Sequence, residues 1–441
     1  MPRRVYLETY GCQMNVADSQ LILGQLGRYG YEPTDDPESA DVLLVNTCAV
    51  RDNAEQRVLG RMGELKRYKK PGVVLGVVGC MAQRLGDLLL DDAPHVDLVV
   101  GPDGYRGLSD LIVSAQSGTR VADVEFKSWE HYEDVPPHRP AGQPSAFVTV
   151  QRGCDYRCTF CVVPMTRGRE RSRKLEDVVG EVERLAASGI SEVTLLGQTV
   201  NSYDDGTADF AELLRAVGLV SGIRRVRFTS PYPTDFTDRA IAAMAEVEVV
   251  CEHVHLPVQS GSSRVLKRMG RRYDRAVYLQ CVERLRSAIP GIAITTDIIV
   301  GFPGETDEDF EHTISLVRDV QFDDAFTFKY SPRDGTGALK FPDGVPDTIA
   351  GRRLERLIAV VREGARRNNV ALVGTTHEVL VEKRARRGEL LQTRTRTNKV
   401  VLVEGPDAWI GSYRTIRLVG TSGATFSGVP AATGTHLAVV G

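Results

Sequence analysis

Cys154, Cys158 and Cys161 stand in a C-x3-C-x2-C run, Cys154-Asp155-Tyr156-Arg157-Cys158-Thr159-Phe160-Cys161. Three thiolates on one short loop suit three irons of a four-iron cubane and leave the fourth iron without a protein ligand. A structural zinc prefers four protein ligands, and the nearest histidine in sequence, His138, lies in a proline-rich stretch. Cys12, Cys48 and Cys80 lie 36 and 32 residues apart and share no local motif. Each closely follows a predicted strand, and in a parallel sheet the C-terminal ends of neighbouring strands lie side by side, ~4.8 Å apart. These thiols either meet at one ion or cluster or are separate buried small hydrophobes. Three strand ends out of three favour a site. The remaining two of the eight cysteines, Cys251 and Cys281, fit neither set and are read as packing residues. Eight cysteines in 441 residues are too sparse for a disulfide scaffold.

Short β-branched runs alternating with helical spacing must position these thiols. Arg4–Glu8, Asp41–Asn46, Val73–Gly79 and Asp97–Val100 are predicted strands, with helices over Ser19–Tyr29, Glu55–Lys69 and Leu108–Ser117. That alternation predicts a doubly wound parallel sheet over residues 1–125. Prolines and glycines crowd residues 126–145, a predicted linker. A second series follows over 146–373, with strands Phe147–Gln151, Glu192–Leu196, Arg225–Thr229, His253–Val258, Ile292–Val300 and Ala325–Tyr330. Six strand–helix units predict a partial (β/α) barrel with its chemistry at the C-terminal ends of the strands. A basic helix from Ile349 to about Val370 leads into 374–441, where short β-rich runs predict a small β-barrel of a kind often used on RNA.

The C-x3-C-x2-C run and its place after the first barrel strand resemble the radical S-adenosylmethionine (SAM) superfamily. The resemblance implies a 4Fe–4S cluster on Cys154, Cys158 and Cys161, with SAM chelated by the open iron and cleaved reductively to a 5′-deoxyadenosyl radical. It places Phe160 near the adenine of SAM. Gln198, ending Leu195-Leu196-Gly197-Gln198, falls where the superfamily often has a glutamate on the SAM amino group. Gln259 is implied near the ribose. The segment from Asp297 through Gly301-Phe302-Pro303-Gly304-Glu305 resembles the superfamily's fifth-strand SAM contact; its competing reading is a plain strand-to-helix turn, with Thr306 as N-cap and Asp309 in the first turn.

Thr9-Tyr10-Gly11-Cys12-Gln13-Met14-Asn15, Asn46-Thr47-Cys48-Ala49-Val50-Arg51 and Gly79-Cys80-Met81-Ala82-Gln83 are similar to the ligand blocks of the methylthiotransferase family. Cys161-Val162-Val163-Pro164, Thr166 through Arg173, and Gly197 through Tyr203 resemble its tRNA-modifying branch. This implies a flavodoxin-like first domain, a (β/α)6 radical SAM barrel and a TRAM-like C-terminal barrel. It also implies a second 4Fe–4S cluster on Cys12, Cys48 and Cys80, and transfer of a methylthio group to C2 of a prenylated adenosine beside the tRNA anticodon. The implied partners are tRNA, an external electron donor and a sulfur donor or cluster-repair system, with the enzyme a monomer. An aromatic C2–H is too weakly acidic for a side-chain base, so hydrogen-atom abstraction by a cofactor-derived radical is the sensible route. The alternatives are another branch of the family, acting on a different tRNA base or on a ribosomal-protein side chain, and a non-catalytic Fe–S protein that binds RNA.

The net charge of −3 gives no overall sign of nucleic-acid binding, but its distribution does. Residues 351–399 carry 13 Lys and Arg against 5 Glu, a net +8 that leaves −11 for the rest. Within them the run Lys383-Arg384-Ala385-Arg386-Arg387 resembles the family's RNA-binding domain. A second basic run, residues 167–174, carries a net +4. His253-Val254-His255 puts two imidazoles on one face of a strand; with no further metal ligand in register, structural or SAM-pocket roles are expected. The longest apolar run, Val73 to Ala82, is far short of the ~18 residues a membrane helix needs. Glu8 comes too early for a signal peptide, so a soluble, cytoplasmic protein is expected.

Overall fold

The computed structural model describes residues 2–49, 52–386 and 388–431. The N-terminal sheet has six parallel strands in the order Tyr31–Pro33, Arg3–Tyr10, Val42–Thr47, Val74–Gly79, Leu98–Val100, Val121–Asp123. VLLVNT and VLGVVG are buried at every position, as a parallel sheet covered on both faces requires. Leu44, Val74 and Val78 pack beneath helices Gln13–Gly27 and Leu108–Gln116, while Leu43, Val45 and Leu75 pack on the opposite side against Val58, Met62 and Met81. This is the doubly wound, flavodoxin-like order. Its edge strands, Tyr31–Pro33 and Val121–Asp123, are three residues each, too short for periodicity to reveal.

The second series forms two parallel three-stranded sheets. Ser145–Thr149, Glu192–Leu196 and Arg225–Phe228 make one; His253–His255, Ala293–Val300 and Asp324–Lys329 make the other. The Cys251 amide donates to Val226 O at 2.9 Å and the Val226 amide to Val249 O at 2.7 Å, joining them into a six-stranded partial barrel. Val148, Leu195, Val226, Val254 and Ile298 alternate outward into the helical core. Met14 and Ala17 of the first domain's helix cover Phe147 and Leu196 on the other face.

The proline-rich stretch is a packed strap rather than a loose tether. Buried Tyr132 donates to Pro102 O at 2.9 Å and stacks on Tyr105, and the His138 amide donates to Gln20 O at 2.8 Å.

Helix Asp347–Leu372 leads to a closed five-stranded barrel of Thr376–Arg384, Leu391–Thr395, Val400–Val403, Thr425–Pro430 and Tyr413–Ser422. The helix is less of a free basic face than its composition implies, because Arg353 is buried against Glu305 at 2.7 Å. The small barrel docks through strand Arg225–Phe228. Arg225, fully buried, donates to Arg394 O (2.8 Å) and Glu378 O (2.9 Å), and Arg227 donates to Arg396 O and Thr395 O, both at 2.8 Å. Charge-assisted bonds from a buried guanidinium are strong, and truncating it strands carbonyls that are shut off from water. Arg225→Met is expected to cost about 3 kcal/mol at this interface. Limited proteolysis reads the outcome as new cleavage near residue 373 in the folded protein.

Candidate metal centre

Cys12, Cys48 and Cys80 follow three adjacent strands of the first sheet. The Cys48 amide donates to Tyr10 O at 3.0 Å, tying the first two strand ends together. A hydrogen bond with Cys48 draws the Cys12 thiol down to about 6; burial opposes this and the charge of Arg167 assists it. Burial pushes the Cys80 thiol up, with Arg167 opposing. A fully buried amide network sets the loop geometry. Asn15 Nδ2 donates to Asn46 Oδ1 (3.1 Å), and Asn46 Nδ2 donates to Asn15 O (2.8 Å) and Ser19 Oγ (2.9 Å). Glycine precedes two of the cysteines because nothing larger fits. A Cβ on Gly11 would lie 2.8 Å from Cys48 Cβ, and one on Gly79, at φ +94°, would lie 2.3 Å from Asn46 Oδ1.

Cys154, Cys158 and Cys161 line a cavity of about 740 Å³ together with Arg157, Thr159, Met165, Glu170 and Gly335–Gly337. The Cys154 amide donates to Gly168 O (3.1 Å), the Cys161 amide to Cys158 O (3.0 Å) and the Val163 amide to Cys161 Sγ (3.4 Å). Arg271, stacked over Tyr232 and Tyr273, donates to Cys158 Sγ at 3.5 Å. Burial pushes the Cys154 thiol up to about 11 and the Cys161 thiol up to about 12. Metal binding at such thiols releases their protons, so it is pH-dependent. Among the described residues no three His, Cys, Asp or Glu side chains gather tightly enough for a single metal ion. A cubane spreads its thiolates over three separate irons and does not need them so close.

The two trios meet through Asp18, a carboxylate with no exposure on helix Gln13–Gly27. Arg152, just after the first barrel strand, approaches it at 3.3 Å, and Arg167, six residues after Cys161, at 2.6 Å. The Arg167 contact is a close ion pair without hydrogen-bond alignment, while its Nε donates to Cys80 Sγ at 3.1 Å. Thus the loop of one trio holds a cysteine of the other. Most of the basic run at 167–174 is spent the same way: Arg171 pairs with Asp103, and Arg173 with Glu181 at 2.6 Å. Arg169, paired with Asp155 at 2.6 Å, is the one arginine of this run that is largely exposed.

The remaining sequence candidates lie around the barrel. Phe160 packs edge-on against Phe302 with centroids 6.4 Å apart, in a cluster with Ile299 and Tyr330. Gln198 follows strand Glu192–Leu196, and its Oε1 is buried with no hydrogen-bond partner. Gln259, at φ +72°, exchanges backbone hydrogen bonds with Asp297 O and the Ile299 amide, both at 2.9 Å. Asp297 faces His255 at 3.2 Å, and the other ring nitrogen of His255 meets Thr295 Oγ1 at 2.9 Å. Burial holds His253 neutral. The Gly301 amide donates to Glu305 Oε1 at 3.0 Å, and Thr306 and Asp309 form a reciprocal capping box, so this segment does make a strand-to-helix turn. Cys251 and Cys281 are core residues, as their packing assignment predicts. Lys383, Arg384 and Arg386 are exposed, with Arg384 reaching Asp407 at 2.7 Å; Arg387 lies outside the described residues. Sequence reasoning does not single out Asn15, Asn46, Asp18 or Arg271. The glycines before Cys12 and Cys80, with asparagine in the same blocks, are the available signal.

Three family models match this chain: "Radical SAM superfamily" over residues 148–317, "Uncharacterized protein family UPF0004" over 4–101, and "TRAM domain" over 370–420. The solved radical S-adenosylmethionine methyltransferase TsrM from Kitasatospora setae, with cobalamin and a 4Fe–4S cluster bound, shares the fold. The TM-score is 0.58 at 17% identity, over 75% of each chain. These define a radical SAM enzyme with an added N-terminal domain and a TRAM domain. The tRNA-2-methylthio-N(6)-dimethylallyladenosine synthase of Caldicellulosiruptor saccharolyticus is 45% identical over 95% of this chain and 90% of its own length. That of Geobacter sulfurreducens is 46% identical over 94% of each chain. The chain belongs to the tRNA-2-methylthio-N(6)-dimethylallyladenosine synthase family.

Gly79→Ala tests the loop geometry. Strain and the collision with Asn46 are expected to move Cys80, so that anaerobically reconstituted Gly79→Ala protein holds less iron than the wild type. Iron and sulfide assays read the result.

Proposed function

We infer that this chain is a radical SAM methylthiotransferase that replaces the C2 hydrogen of N6-dimethylallyladenosine, beside the tRNA anticodon, with a methylthio group. Membership of the family supports the reaction. The single structural observation that supports the division of labour is the Arg167–Cys80 contact, which sets two cysteine trios against each other across one buried carboxylate. We assign Cys154, Cys158 and Cys161 to the SAM-cleaving 4Fe–4S cluster, and Cys12, Cys48 and Cys80 to a second one. When bound, the clusters and SAM supply the 5′-deoxyadenosyl radical, the sulfur and the methyl group.

The protein's own part is to bind, orient and shield. Gln198 presents a buried acceptor with no protein donor, and the amino group of SAM is a donor of the right kind. Phe160 offers an apolar edge for the adenine, and Gln259, Asp297 and Gly301 are proposed to complete the SAM pocket. Arg271 sets positive charge beside Cys158 and donates to its sulfur at 3.5 Å. A base inside an anticodon loop is reached by taking it out of the stack, and the TRAM barrel's exposed Lys383, Arg384 and Arg386 offer phosphate contacts that hold the loop for this. The described helices include none long and apolar enough to cross a membrane. A cytoplasmic monomer served by an external electron donor and a sulfur donor or cluster-repair system completes the proposal.

Two experiments test it. Anaerobically purified protein is expected to hold about eight irons, falling to about four when Cys154, Cys158 and Cys161 become alanine, with loss of 5′-deoxyadenosine release. Offered prenylated tRNA and ribosomal protein separately, the wild type is expected to add one CH2S mass to the tRNA nucleoside alone. A wild-type iron content near four, or modification of the protein instead, overturns the assignment. Separately, replacing Lys383, Arg384 and Arg386 with alanine is expected to weaken tRNA binding. It should also flatten the salt dependence, lowering the log–log slope by about one for each phosphate left without its cationic partner. Filter binding across a salt series reads both effects.

A further inference from the structure

We propose that Arg167 is a positioning residue shared by the two thiol trios, which raises the reduction potential of the cluster on Cys12, Cys48 and Cys80 by donating to sulfur. The proposal rests on the two-cluster reading above and adds a role for a side chain that neither cluster ligates.

Arg167 ends the short helix Val163–Arg167, which begins two residues after Cys161, yet its guanidinium reaches into the first domain. It is 3% exposed. Nε donates to Cys80 Sγ at 3.1 Å, Nη2 lies 2.6 Å from Asp18 Oδ2, and Nη1 is buried with no partner in the protein. A buried guanidinium normally has its N–H groups satisfied, and leaving donors unmade inside a protein is costly. Asp18 could be neutralised by Arg152 alone, so the ion pair does not by itself require a second arginine. The surplus cation and the orphaned donors lie where the one protein acceptor of Nε is a cysteine sulfur. Anionic sulfur — thiolate, sulfide or a sulfur species on an open iron — is the acceptor chemistry that satisfies them.

The groups facing Arg167 are few: Asp18, Cys80 and Tyr105 act on it most strongly, with Arg152 across the same carboxylate. Hydrogen bonds and positive charge at cluster sulfur stabilise the reduced state, which carries one more negative charge. Because Arg167 hangs from the loop that holds Cys161, any shift of that loop also changes the donor on Cys80. The two sites are thereby coupled through a single side chain.

The test uses the full-length Cys154→Ala/Cys158→Ala/Cys161→Ala protein, which isolates the other cluster. Arg167→Met is added, with Arg152 left to pair Asp18. The expected result is about four irons in both proteins and a midpoint potential, from an EPR-monitored redox titration, that falls on removal of Arg167. A tenfold change in the one-electron equilibrium, about 59 mV, is the expected scale. An unchanged midpoint with iron retained overturns the proposal, because a purely structural ion pair leaves the potential alone. If Arg167→Met fails to hold iron, Arg167→Gln decides. It removes the charge while keeping a polar side chain, so a lowered midpoint supports the role and an unchanged one overturns it. A triple-cysteine protein that holds no iron at all removes the second cluster itself, and is told apart because it does so with Arg167 intact.

Discussion

Asp18 has no exposed surface and lies between two arginines from another domain. An unpaired carboxylate in that position costs several kcal/mol, so the first domain and the barrel are each incomplete at this face without the other. Docking brings Arg152 and Arg167 in from either side of the C-x3-C-x2-C loop, and with them the loop itself. The juxtaposition of the two thiol trios follows from that registration. The Cys80 thiol acquires a donor, the two thiol trios come to share a boundary, and the strap 126–145 seals the seam through Tyr132 and Glu130.

The basic run at 167–174 is instructive about charge. In composition it resembles a surface for nucleic acid, yet buried Arg167 and Arg173 and half-buried Arg171 are committed to Asp18, Glu181 and Asp103. Lys383, Arg384 and Arg386 are exposed on the small barrel, with Arg384 paired to Asp407 at 2.7 Å. The same barrel is fixed to the radical SAM core by backbone carbonyls, which Arg225 and Arg227 collect from residues 378 and 394–396. The docking residues Glu378 and Arg394–Arg396 and the exposed Lys383, Arg384 and Arg386 thus belong to one small domain fixed on the barrel.

Much of the fold was legible because burial on both faces leaves a plain mark. Strands Val42–Thr47, Val74–Gly79 and Glu192–Leu196 stand within a residue of their predicted places. Tyr31–Pro33 and Val121–Asp123 escaped because three residues carry no period, and Leu391–Thr395 and Thr425–Pro430 because they mix polar residues into a barrel. The proline-rich stretch reads as a tether by composition, but Tyr132, Val135 and Glu130 bury themselves in its neighbours.

Sequence by itself determined the local set, Cys154, Cys158 and Cys161, since thiols at most seven residues apart must share a loop whatever the fold does. It also marked Cys12, Cys48 and Cys80 as strand-end residues, because strand ends are written in short-range patterns. Only the tertiary structure decided which arginines face these thiols. Arg167 and Cys80 are separated by 87 residues, and Asp18 and Arg152 by 134. No local propensity carries such a pairing. It arises when two domains exclude water from one carboxylate, and the charges that remain must answer each other.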